Sequence, residues 1–361
     1  MERRVLWLVL AGLVGCAEGG GGGDAPPDAA SPGPDVCCSA ADAHEPDAGP
    51  GADAGRPGAV DAGAPVDAAA LPEADAASGP DAGAPEDLDL AGGEVAGRWC
   101  GAVTARDTLT VPAGQTLTIC AGTSVRFEGS PGASLLVLGT LVVRGTAEQP
   151  VTFGGAWRGL RVGGTLDAEH VVITDAANGL ESADGADVQV RHGRFERCQT
   201  ALVLAGGGTF SHTAVIGGDS LTLTGGLLRM TDSVLDLGHP EQSPDCTRIS
   251  GGGLALDHVR FTGCHCPLHI DRAPDGVEVT ASILDGAANP VMIAQTTGRF
   301  TGNHLIGAQE DFLDIGGGFS VDIAGNYYGG DAPRLGSRDR AQFQHAEDWS
   351  MAPLEGVGPR P

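Results

Sequence analysis

The chain has 361 residues, 47 acidic against 21 basic, a formal net charge of −26 and aromatic residues at only 4%. Phosphate contacts need clustered Lys or Arg, so this balance excludes nucleic acid as an expected partner. The 59 glycines and 23 prolines, with no helix-favouring run, point to a chain divided between a segment that cannot pack and a β fold.

At the start, Arg3 and Arg4 precede an apolar core from Val5 to Val14. That core is about half the ~20 residues a bilayer crossing requires, and predicts a removed export signal over residues 1–15. Leu13, Val14, Gly15 and Cys16 resemble the bacterial lipobox. The resemblance implies cleavage before Cys16 and acylation of its sulfur and new amino group, hence the membrane as a partner through N-terminal lipid. Several acyl chains anchor firmly where a single one binds only marginally. Ala17 stands where aspartate retains some lipoproteins at the inner membrane, which points to the outer membrane of the cell envelope and leaves the leaflet and face open.

Residues 16–96 read as a tether. Phrases such as PDAGPGADAG and DAGAPVDAAA repeat Pro, Asp, Ala and Gly, with almost no large apolar side chain before Leu88. Such a segment cannot bury enough surface to offset the entropy of ordering. About eighty flexible residues span roughly 50 Å, and more where proline and self-repulsion extend them. From 17 to 96 there are 17 acidic residues and one arginine, so most of the negative charge belongs to the tether.

From 97 to 361 the texture changes to Val, Leu, Ile, Thr and Gly, alternating over short stretches such as SLLVLGTLVVRG and GLRVGG that read as strands. Apolar positions recur at five or six and again at eleven or twelve residues. Examples are Val190, Phe195 and Leu202; Phe210, Ile216 and Leu221; Leu256, Phe261 and Leu268; Val279, Leu284 and Val291; and Phe300, Ile306 and Phe312. The set repeats at Val190, Phe210, Met230, Leu256, Val279 and Phe300. A unit of this length with three short strands cannot close a core alone, but stacked copies can. The predicted fold is all-β: a right-handed single-stranded parallel β-helix, a solenoid of about nine or ten turns between residues 100 and 330, with turns spaced at ~4.8 Å.

The opening residues 109–164 and the closing GNYYGGDAP at 325–333, followed by DWSMAPL, resemble the bacterial right-handed β-helix proteins of the pectin-lyase-like group. The resemblance covers roughly residues 100–355 and implies the fold. It implies no activity, because the same scaffold carries lyases, hydrolases, adhesins and inert spacers. Lyases of this kind hold calcium with carboxylates and use an Arg or Lys base; the hydrolases use clustered Asp. No adjacent Asp pair occurs in the repeats. The nearest candidate catalytic group is Asp257, His258 and Arg260 in LDHVRF, yet AEHVVI at 168–173 has the same local pattern, which points to turn chemistry. Trp99, Trp157, Tyr327, Tyr328 and Trp349 suit end caps better than a sugar-docking face, and Phe210, Phe300 and Phe319 suit a core stack.

The stretch CHCPLH places Cys264, Cys266 and His269 within metal-binding reach in sequence, since sulfur with nitrogen suits zinc or copper. Against this, an exported protein meets an oxidising environment. A bridge from Cys246 to Cys264 or Cys266 would pin the long loop 238–246. Cys100 with Cys120 would staple the first turn. Cys198, about 14 Å from the Cys264 position by the stacking distance, is expected buried and reduced, and Cys37 with Cys38 is left open. Two functions remain. The first is a non-enzymatic, lipid-anchored surface rod that contacts polysaccharide or envelope and surface proteins and needs no cofactor. The alternative is a tethered polysaccharide lyase or glycoside hydrolase, with calcium if a lyase.

Overall fold

The computed structural model describes residues 87–238, 245–337 and 339–361. Over these the chain is an all-β parallel solenoid with one short 3₁₀ turn at Arg340–Gln342. Each circuit contributes a strand to three ladders. Ladder A runs from Gly97–Trp99 to Phe343–Gln344, ladder B from Leu88–Leu90 to Trp349–Ser350, and ladder C from Gly93–Glu94 to Leu335–Gly336. Every pairing is parallel; the strands Thr165–Thr174 and Asp187–Glu196 run through the A–B corner and join those two ladders into one 23-stranded sheet beside a 12-stranded one.

Among the described residues the first pairing is Leu88 with Val103, so the coil extends into the segment read as tether and does not wait for residue 97. Within residues 100–330 ladder C contributes ten strands, from Leu109–Val111 to Phe312–Asp314, as the repeat count predicts.

Side chains alternate in and out, so identical positions of successive turns form columns. One ladder A column runs Trp99, Ile119, Val143, Ala168, Val190, Phe210, Met230, Leu256, Val279 and Phe300 without a break, every member buried. Its ladder B counterpart includes Phe195, Val215, Leu235, Phe261, Leu284 and Leu305. From Ala168 to Phe300 the inward step from A to B is therefore five residues, whereas the earlier turns take four, six and ten from Trp99, Ile119 and Val143 to Val103, Val125 and Phe153. This corrects two expected core positions: Val215 and Leu305 point in, while Ile216 is half-buried and Ile306 is 42% exposed on the outside. The five-residue step arises because the corner there is one residue wide. Two residues after the A column, the chain passes through left-handed backbone at His192, His212, Asp232, His258 and Ala281 (φ 53°, 49°, 49°, 56° and 46°).

A corner interrupts the backbone ladder, and its freed N–H groups need partners. They find them on side chains one turn further along. Thr213 N–H donates to Ser233 Oγ (3.0 Å), Val259 N–H to Ser282 Oγ (3.0 Å), Ser282 N–H to Asn303 Oδ1 (2.9 Å) and Asn303 N–H to Asn326 Oδ1 (2.8 Å). All of these polar side chains are buried.

Aromatic placement departs from the expectation in two respects. Trp157 is not an end cap: it is buried at the B–C corner, stacked on Phe127 at 4.5 Å, with Nε1–H donating to Thr174 O at 3.1 Å. Phe319 does not continue the Phe210–Phe300 column; it precedes the strand Ser320–Asp322 and packs on Phe343 at 4.9 Å near the C-terminal end. After the last rung the tail turns back along the A–B corner. Leu354 N–H donates to His304 Nε2 (2.8 Å), Gly358 N–H to Ala281 O (2.8 Å), and Arg360 pairs with Asp232 through Nε (2.7 Å) and Nη2 (2.9 Å).

Candidate functional site

The outer side of the A–B corner carries a line of chemistry-bearing side chains. Because one residue per turn makes the corner, His170, His192, His212, Asp232 and His258 stand in register on five consecutive turns. The first three imidazoles stack: His170 on His192 at 4.4 Å between centroids with planes 4° apart, and His192 on His212 at 4.8 Å with a 33° tilt. His192 and His212 are exposed and His170 is half-buried. Burial, then the neighbouring His170 and His212, hold the His192 pKa below its ordinary value.

Asp257, His258 and Arg260 fall where ladders A and B meet, but on different surfaces. Asp257 ends the ladder A strand Gly253–Asp257, His258 is the left-handed corner, and Arg260 opens the ladder B strand Arg260–Cys264 and is exposed. The Asp257 carboxylate accepts from Thr280 Oγ1 at 2.8 Å and lies 3.7 Å from Arg360 of the tail. Its Oδ2 is 2.9 Å from His258 Nδ1, yet poorly aligned, so that buried nitrogen lacks a hydrogen-bond partner. Burial raises the Asp257 pKa, but contacts with His258 and Thr280 outweigh it and hold it low. The AEHVVI stretch forms the same corner at His170, so the pattern shared with LDHVRF is a shared backbone geometry.

A second feature lies on the outer face of ladder A. The strand Ala273–Thr280 carries extra residues between Ala273 and Val277 relative to its neighbour, and this bulge raises one wall of an open groove of about 590 Å³. Arg229, Asp275, Glu278, Arg299 and Asp322 line it. Arg299 is hydrogen-bonded to Glu278, so part of its charge is compensated internally.

No family model, curated protein or solved structure matches this chain. The architecture is therefore established by its own strand register.

The cysteines settle into two bridges. Cys100 is joined to Cys120, and Cys246 to Cys264. Cys266 remains a buried thiol, as does Cys198, and burial pushes both thiol pKa values up. The metal grouping of Cys264, Cys266 and His269 does not assemble: the Cys264 sulfur is spent in the bridge and the Cys266 side chain is in the core. His269 turns outward between two carboxylates, with Nδ1 bonded to Asp245 and Nε2 3.1 Å from Asp271. The Asp245 contact holds the His269 pKa above its ordinary value. Cys16, Cys37 and Cys38 lie outside the described residues.

Sequence reading missed His192, His212, Asp232 and Arg360. The first three carried a readable signal: a polar residue two positions after each member of the Val190–Phe210–Met230–Leu256 column. Arg360 carried none, because its partner Asp232 is 128 residues away.

Proposed function

We propose that the chain is a lipid-anchored protein of the cell envelope, cleaved before Cys16, whose acidic N-terminal segment spaces a right-handed pectin-lyase-like coil from the membrane as a non-enzymatic binding and display rod. What supports this most is the commitment of Asp257, the carboxylate on which a catalytic reading would depend. It is engaged by Thr280 and the returning tail at Arg360, which is the behaviour of a group that fastens the structure. Its neighbour Arg260 belongs to the other face of the corner. The coil's outer faces carry other internally paired charges, as at Arg144, Asp167 and Arg191, which suits a durable surface that meets polysaccharide or other envelope and surface proteins.

The second reading is a tethered polysaccharide lyase or hydrolase, and the bulge-walled groove on ladder A is the observation that favours it. Incubating the full chain with a panel of acidic polysaccharides, with and without calcium, separates the two. The display reading expects no shortened or unsaturated products. Shortened or unsaturated products would overturn it, whether or not they vanish in Asp257→Ala, which tests the corner, or in Glu278→Ala, which tests the groove. Independently, labelling with a radioactive fatty acid is expected to be lost in Cys16→Ser; retained label would remove the lipid anchor from the proposal.

A further inference from the structure

We propose that the His170–His192–His212 column is a binding site for a late first-row divalent cation such as copper or zinc, chelated between imidazoles of adjacent turns. The backbone does not demand histidine there. The same corner is made by Asp232, Ala281, Gly302 and Gly325 on later turns, all with positive φ, so three successive imidazoles are not explained by the turn alone. What they share is position: side by side on the outside, at the spacing of parallel rungs.

Two nitrogens bound to one ion at ~2.0–2.1 Å each stand roughly 3–3.5 Å apart. The rings are 4.4 Å and 4.8 Å apart at their centroids. Rotation about χ2 is soft and broad, so the ring edges can turn toward each other without moving the corner, and the His192 and His212 planes already differ by 33°. Imidazole is the nitrogen ligand that copper, nickel and zinc favour.

Among the described residues no three His, Cys, Asp or Glu side chains stand ready to surround an ion. The site is therefore a two-imidazole chelate completed by water: open, exchangeable, and weaker than a structural metal centre. His192 belongs to both adjacent pairs, so the column holds one chelated ion at a time. Arg360 of the tail sits on Asp232, one turn from His212, and His192 and His212 are exposed.

The test is copper(II) titration of the full chain, followed by calorimetry and by electron paramagnetic resonance for nitrogen coupling, with zinc(II) as competitor. Asparagine tolerates left-handed backbone, so His192→Asn keeps the corner, and circular dichroism checks that the coil is intact. Expected is a two-nitrogen spectrum whose apparent affinity falls at least tenfold in His192→Asn and less in His170→Asn or His212→Asn, each of which leaves one pair. Binding should also weaken below about pH 6.5, as protons compete for the imidazoles. An unchanged affinity and spectrum in His192→Asn overturns the proposal. So does loss of the signal in His269→Asn with binding kept in His192→Asn, which would move the site to the Asp245–His269–Asp271 group.

Discussion

Asn303→Ala should cut the coil at one place. Asn303 is fully buried at the inner side of the A–B corner. Its Oδ1 accepts the Ser282 N–H at 2.9 Å, and its Nδ2 donates to Val279 O at 2.8 Å and to Asn326 Oδ1 at 3.0 Å. Asn326 Oδ1 still receives the Asn303 backbone N–H at 2.8 Å, and Val279 stays paired in the strand ladder, so truncation strands chiefly the Ser282 N–H. A stranded buried group of this kind costs about 1–3 kcal/mol. In a solenoid that cost is local, because each turn touches only its neighbours. Urea unfolding followed by hydrogen exchange reads both aspects. Exchange should accelerate at Ser282 and at His304, whose N–H donates to Ser282 O, while the turns around Leu135 keep their protection. Thr301→Ala, on the outer side of the neighbouring strand, should stay within about 0.5 kcal/mol. A loss below about 1 kcal/mol with uniform exchange would refute the idea that buried side chains carry the corner's hydrogen bonding.

Two further outcomes concern charge. In Asp232→Asn the tail should leave the corner, seen as lost protection of the Gly358 amide. Arg360 hydrogen bonding lowers the Asp232 pKa on docking, so in the unsubstituted chain docking should be full above the ordinary carboxylate value near pH 4 and fade as pH falls through the lowered one; protection that survives Asp232→Asn would show that the tail is held by something else. For His269 the sign is opposite. Its bond to Asp245 raises the pKa, so the stabilisation is complete below about pH 6.5 and is lost as pH rises through the raised value. His269→Gln should flatten that part of the urea-midpoint profile, and a profile that keeps its slope would assign the dependence elsewhere.

The core was legible in the sequence because a parallel coil repeats its inward positions at every turn. The column from Val190 to Phe300 could be read from spacing alone, even across the long interval from Met230 to Leu256, where extra residues enter between ladders B and C without touching the register of ladder A. Ile216 and Ile306 were misread because apolar side chains occur on both sides of those strands, and hydrophobicity cannot tell Val215 from Ile216. The left-handed corner decides it. The imidazole column was half-visible: His170 and His258 drew notice as turn residues, but the histidines between them become a site only when the turns are laid on one another. Arg360 reaches its partner through the tail's return path, which no periodicity encodes.

The one-residue corner also separates where this chain can grow from where it cannot. The connection after ladder B absorbs extra residues between Asp236 and Thr247 and leaves the next rung seated. One residue added between Val190 and Phe195 would instead turn every following position of that strand inside out, exchanging core for solvent. Grafted peptides, tags or acquired insertions will thus be accepted at the B–C connection and rejected inside the one-residue corners, whereas the wider A–B connection between Arg144 and Val151 already carries one. New binding loops on such a scaffold will accumulate where the connections are already wide.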